Sequence, residues 1–146
     1  MTEWILEKHF YEKIRKHMPT ACVDLLVTND QGQYLVALRK EAPAQGCWWF
    51  PGGRIYKDET IEHTALRKGK EELGERVDFE LGKFVSVEET IFEKEEYHTV
   101  NIVYNMKYKG GDIKIDTFHD EYKWLDVIDE SLHPAVKNPL KVFGFE

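Results

Sequence analysis

The chain is short of cysteine. Cys22 and Cys47 are its two thiols, and they form no CxxC pair. Two cysteines this far apart offer neither a disulfide framework nor a zinc site, which points to a reducing compartment. Long apolar runs are absent as well. None approaches the roughly 18 residues that a membrane helix needs, and the opening MTEWILEKHFYEKIRKH is too charged for a signal peptide. Positive charge is also scarce: 20 Lys and Arg stand against 27 Asp and Glu, a formal charge of −7. That balance argues against a phosphate backbone as the main partner, since a duplex binder needs a basic face. Repeats, low-complexity stretches and Ser/Pro/Gly-rich linkers are missing too. A single cytoplasmic domain over residues 1–146 is expected, with neither nucleic acid nor membrane as partner.

What is present is enough apolar residue, 42% with 13% aromatic, to build one packed core. Ile5, Phe10 and Ile14 recur among charges at helical spacing, predicting a short amphipathic helix over about Trp4–His17. ACVDLLVTND and QYLVALRK flank a turn at Asn29–Gly32, the pattern of a β-hairpin. Residues 41–53, with Pro43, Gly46, Pro51, Gly52 and Gly53, read as loop. A helix is expected from Thr60, a plausible N-cap, to Leu73, with Gly74 where a C-cap glycine belongs. Two strands follow, about Val77–Phe92 and Tyr97–Tyr108, joined by the charged turn Glu93–Glu96, then a short strand at Tyr122–Leu125. A weak helix is expected around Asp129–Leu132, with Pro134 and Pro139 interrupting the tail. The pattern predicts an α+β fold, a mixed sheet packed between helices.

The segment PGGRIYKDETIEHTALRKGKEELG, residues 51–74, carries the chemistry. Gly52-Gly53 lets the backbone approach a ligand closely. The helix after it bears Arg67, Glu71 and Glu72 in its last two turns. Arg67 and Glu71, four apart, can pair on one face. Glu71 and Glu72 are neighbours about 100° apart around the axis, and two carboxylates so placed repel unless a cation lies beside them. Hard oxygen ligands suit Mg²⁺ or Mn²⁺, which keep waters and bridge to substrate phosphates.

The spacing of Gly53, Glu59, Arg67, Glu71, Glu72 and Gly74 resembles the Nudix box: glycine, five residues, Glu, seven residues, then Arg-Glu-apolar-x-Glu-Glu-x-Gly-apolar. Six of the box's seven identity positions match, which chance would give on the order of 10⁻⁴ times per chain. The resemblance implies a Nudix-like α/β/α sandwich. Three positions depart from it: Lys68 stands at the first helix glutamate, and Gly69 and Glu75 replace apolar residues. In many Nudix pyrophosphohydrolases that first glutamate binds metal or activates water, and a lysine does neither at neutral pH without a large pKa shift.

One subgroup with a modified box, the GDP-mannose mannosyl hydrolases, resembles the chain over about residues 20–126. These enzymes cleave at the sugar carbon and release GDP and mannose. Arg39, Pro43-Ala44-Gln45-Gly46, Trp48, Pro51-Gly52-Gly53-Arg54 and Lys57-Asp58-Glu59-Thr60 match its RxxxPAQGxWxxPGGRxxKDET block. Val23-Asp24 with Val27 resembles its first strand, and His119-Asp120-Glu121-Tyr122-Lys123-Trp124-Leu125 its HDxYxWL segment.

The resemblance implies roles residue by residue. Glu72 and the Gly52 carbonyl are metal ligands, and Glu71 is a second ligand, an outer group or the partner of Arg67. Arg39 and Arg54 contact the diphosphate, where a forked guanidinium offsets charge developing on the leaving group. Asp24, a carboxylate inside an apolar strand, contacts the sugar or nucleoside. His119, expected on a loop before the last strand, is the general base, an imidazole that can take a proton from water near neutral pH. Phe118 stands where the subgroup has a glutamine that supplies a metal-ligand oxygen. Water, Glu71 or Glu121 then replaces that oxygen, metal affinity is lower, or the substrate differs. Trp48 and Trp49 are core residues or a stacking surface for a base.

The leading expectation is a Mg²⁺-dependent hydrolase of nucleoside diphosphate sugars. It would act on GDP-mannose or a related GDP-sugar at the anomeric carbon. The first alternative is a Nudix pyrophosphohydrolase attacking phosphorus in an NDP-sugar or NTP. The second is a nucleotide-binding protein that has kept the fold and lost turnover. By the same resemblance a homodimer is expected.

Overall fold

A computed structural model describes residues 7–115 and 119–146. Alternation of apolar side chains builds the centre. Strand β1 (Thr20–Thr28) sends Val23, Leu25 and Val27 to one face and Asp24 and Leu26 to the other. Strand β2 (Tyr34–Arg39) does likewise, with Leu35 opposite Tyr34 and Val36. The turn between them is held by Asn29, whose Oδ1 accepts from the amides of Gln31 and Gln33 at 3.0 Å each.

Two further pieces of strand lie in the segment read as loop: β3 (Trp48–Trp49) pairs with β2, and β4 (Gly52–Arg54) pairs with β1. The correction has a simple cause. Strands of two and three residues, bounded by Pro and Gly, show no periodicity, and only their partners make them strands. Helix α1 spans Lys8–Arg15 and helix α2 spans Ile61–Leu73. The part of the first predicted helix before Glu7 lies outside the described residues. The Thr60 side chain caps α2 by accepting from His63 N at 3.1 Å. Long strands β5 (Asp78–Phe92) and β6 (Tyr97–Gly110) form an antiparallel pair. Strand β7 spans His119–Leu125 and pairs with β2.

The sheet runs β3-β2-β1-β6-β5, with β1 and β6 parallel and β4 and β7 joining at β1 and β2. Helix α2 packs Ala65 and Leu73 on Val23, Leu25 and Leu35. The last helix, α3 (Pro134–Phe143), packs Ala135, Val136 and Leu140 against Leu26, Tyr34 and Val36. The result is the expected mixed sheet between helices.

The tail corrects another expectation. Residues 129–132 form a turn, and the helix begins at Pro134. Proline at the first helical position loses no hydrogen bond, and His133 Nδ1 accepts from Ala135 N at 3.0 Å. Pro139 sits inside α3, where burial of the apolar face outweighs the missing bond. No helix among the described residues is long and apolar enough to cross a membrane. Both cysteines are free thiols, as expected.

Candidate active site

The box folds as a clamp around its own arginine. Arg67 donates through Nε to Glu59 Oε2 at 2.6 Å and through Nη2 to Glu59 Oε1 at 2.8 Å. Its Nη2 also reaches the Arg54 carbonyl at 3.0 Å, and the guanidinium lies 3.8 Å over the Tyr56 ring. The Glu59 side chain is 1% exposed and accepts further from Tyr56 N and Thr64 Oγ1. Arg67 above all holds the Glu59 carboxyl well below the usual carboxylate range. The clamp ties the start of α2 to β4 and so positions the glycine turn.

At the other end of α2, Glu72 is 4% exposed and accepts from Gly52 N at 2.6 Å. Its second oxygen lies 4.0 Å from His119 Nε2, itself on a residue 4% exposed. Glycine is obligatory at 52: a Cβ there would overlap the Val23 carbonyl and lie 2.7 Å from Asp24 Oδ1. Glu71, by contrast, faces outward and accepts from Arg67 Nη1 and Lys68 Nζ at 3.2 Å each. Lys68 lays its stem across Gly53, where a Cβ would lie 2.6 Å from Lys68 Cε.

These elements surround a cavity of about 320 Å³. Its wall includes Asp24, Arg39, Gly52, Arg54 and Glu72, so five of the seven candidate residues converge there. Glu71 and His119 are not part of that wall. Glu71 is turned to Arg67, and His119 stands behind Glu72. His119 also begins strand β7 rather than lying on a loop, and its backbone pairs with Arg39. That pairing across two strands was not visible in the local pattern. Arg39 donates from Nε to the Pro43 carbonyl at 2.6 Å, which bends the 41–47 segment over the cavity. Arg54 sits between rings, 4.2 Å from the centre of Tyr11 and 5.2 Å from that of Tyr56.

Asp24 is 5% exposed and is held by Asn101 Nδ2 at 3.1 Å and Trp49 Nε1 at 3.5 Å, both on Oδ2. Burial is the main reason its carboxyl is pushed up to about 7, with Glu72 adding to it. Thr90, Thr99 and Asn101 extend this polar wall, and Tyr11 from α1 closes the rim. Sequence reading missed all four. The signal for the three wall residues was their inward strand parity, polar where an apolar side chain belongs.

Among the described residues no group of three or more His, Cys, Asp and Glu could hold a metal ion. Phe118 lies outside the described residues. The donors that remain at the glycine turn are hard oxygens, the Glu72 carboxylate and the Gly52 carbonyl. This donor set fits a cation such as Mg²⁺ that completes its shell with water and substrate phosphate.

A family model described as NUDIX domain matches residues 18–143. The chain belongs to the Nudix family. Among curated relatives of this Nudix chain is the low-salt glycan biosynthesis protein Agl8 of Haloferax volcanii, 31% identical over 134 residues, 89% of this chain and 85% of that one. The ADP-ribose pyrophosphatase of Methanocaldococcus jannaschii is 29% identical over 126 residues, 84% and 72% of the two chains. The MutT NUDIX hydrolase structure from Burkholderia pseudomallei superposes with a TM-score of 0.74 at 27% identity, covering 86% of this chain and 98% of that one.

Proposed function

We propose that this Nudix hydrolase splits nucleoside diphosphate sugars, with GDP-mannose or a related GDP-sugar as substrate. Attack falls on the anomeric carbon, so that GDP and free sugar leave. The observation that carries the reading is the position of His119, buried 4.0 Å from the cavity-lining Glu72, while Lys68 takes the helix position next to Arg67. The helix keeps one buried carboxylate and gains an ammonium, and the imidazole is the group near Glu72 able to accept a proton from water. The relative named for glycan biosynthesis agrees with a sugar nucleotide as substrate.

In this reading Glu72 and the Gly52 carbonyl hold Mg²⁺ or Mn²⁺, and Glu71 orients Arg67 and Lys68 or joins the ligand set. The bound metal supplies charge to stabilise the departing diphosphate. Arg39 and Arg54 grip the same phosphates as forked cations. Asp24 meets the sugar or nucleoside. A single displacement inverts the anomeric centre, and a well-neutralised diphosphate leaves without a carboxylic acid to protonate it. A homodimer accompanies this reading.

A second reading, attack on phosphorus, is favoured by the likeness to an ADP-ribose pyrophosphatase. One experiment separates the two. A nucleotide-sugar panel with Mg²⁺ in ¹⁸O-labelled water yields nucleoside diphosphate and labelled sugar for carbon attack. Nucleoside monophosphate and sugar phosphate, with label on phosphorus, would overturn the carbon reading.

A further inference from the structure

Four buried polar side chains form one hydrogen-bonded line across the face of the sheet that meets α3. Asn101 Nδ2 donates to Asp24 Oδ2 at 3.1 Å, Thr99 Oγ1 donates to Asn101 Oδ1 at 2.6 Å, and Thr99 Oγ1 meets Thr90 Oγ1 at 2.5 Å. Thr90 and Thr99 are direct partners across β5 and β6, and Asn101 follows two residues along β6. All four are at most 8% exposed, yet all four line the cavity.

The bond directions in this line follow from the donors each group carries. The amide of Asn101 turns its donor to a carboxylate, so its oxygen must accept. A threonine hydroxyl has one hydrogen, and that of Thr99 is committed to Asn101. The Thr90 hydroxyl therefore donates to Thr99, and only its lone pairs remain. At the other end both bonds to Asp24 fall on Oδ2, which leaves Oδ1 as an acceptor. At its two ends the line thus presents acceptors, the Thr90 lone pairs and Asp24 Oδ1, to whatever enters.

Acceptors at these two ends disfavour phosphate, for which Arg39, Arg54 and Lys68 line the same cavity. They take a group that brings its own donors. We propose that Thr90, Thr99 and Asn101 are specificity-determining residues that bind ring hydroxyls of the substrate, beside the diphosphate held by the cations. The inference rests on the nucleotide-sugar reading and extends it by naming the surface that recognises the polyol. Trp49 and Phe92, on the same wall, provide apolar faces for the C–H side of such a ring.

The test compares wild type, Thr90→Val and Thr90→Ser by calorimetric titration with GDP-mannose, GDP and 2′-deoxy-GDP, with thermal unfolding as a check of fold. Thr90→Val keeps the shape and removes the terminal acceptor, and Thr90→Ser restores it. The expected result is a loss of about fivefold to tenfold in GDP-mannose affinity for Thr90→Val. GDP binding stays within twofold, and Thr90→Ser behaves as wild type. That outcome assigns the wall to the hexose. An equal loss for GDP-mannose and GDP, with 2′-deoxy-GDP spared, also supports the inference and assigns the wall to the ribose. Equal losses for all three ligands, or none, overturn it. If wild type binds no nucleotide sugar of a panel, the nucleotide-sugar reading falls and takes this inference with it. Binding indifferent to Thr90→Val removes the inference alone.

Discussion

The Arg67 and Glu72 sites of helix α2 differ although one motif encodes both. Arg67, at mid-helix, ties back to the residues ahead of α2: it bonds Glu59 twice, reaches the Arg54 carbonyl and stacks on Tyr56. At its end, Glu72 is as deeply buried, accepts from a glycine amide and lies 4.0 Å from a histidine. A carboxylate paired with a fork is a strut. A carboxylate that lines a cavity meets what enters it. Positions of one motif five residues apart thus divide between holding the turn and lining the cavity.

Substitutions at the two sites should part along the same line. The largest effect is expected at the chemical site. His119→Gln should lower turnover by on the order of 10²–10⁴ with little change in thermal stability, measured as kcat and Tm on one preparation. Activity within twofold of wild type would remove His119 as the base. Next, Glu72→Gln should raise the Mg²⁺ concentration for half-maximal activity by about 10- to 100-fold, read from metal titrations of activity. An unchanged titration would take Glu72 out of the metal site.

Glu59→Gln reverses the balance. Removing the charge of the buried carboxylate that Arg67 bonds twice should cost about 3–5 kcal/mol of stability, measured by urea unfolding at pH 7. The pH dependence has a definite sign. Arg67 holds the native Glu59 carboxyl below its ordinary value of 4.5. The stabilisation is therefore complete above that value and fades as pH falls through the native pKa. Wild type and Glu59→Gln should converge in stability on acidification. A gap that stays constant from pH 7 to pH 3 would contradict the ion pair as its source. The smallest effect is expected for Lys68→Ala, whose ammonium contacts the partly exposed Glu71. Stability should change by less than about 1 kcal/mol, while KM for a nucleotide sugar rises several-fold. A stability loss as large as that of Glu59→Gln would place Lys68 among the struts.

Legibility in the sequence followed the range of the interactions. Helix α2 with its cap, the β1–β2 hairpin and the β5–β6 pair were readable because their signals are local: a Thr N-cap, an Asn-Asp-Gln-Gly turn, alternating apolar residues. Strands β3 and β4 were not, since two or three residues carry no period and depend on β1 and β2 for their pairing. Helix α3 hid behind its prolines, because tertiary burial of Val136 and Leu140 overrides the propensity that argued against it. Within the cavity, Asp24, Arg39, Gly52, Arg54 and Glu72 were all named from the motif and its flanking resemblance. Thr90, Thr99, Asn101 and Tyr11 were not, as no short motif links them to the box. Sheet register brings the first three beside Asp24, and the packing of α1 on Arg54 brings the fourth.

Residue order alone determined the Nudix family and the chemical character of the glycine turn and its helix. Both reside in spacings of a few residues that one turn of helix converts directly into geometry. Tertiary structure alone decided that Glu72 is buried, that His119 stands beside Glu72, and that Asp24, Asn101, Thr99 and Thr90 line the same cavity as the cations. Each of these depends on strands or helices far apart in the chain meeting in one register. That meeting is set by the summed burial of two apolar faces, not by any local pattern.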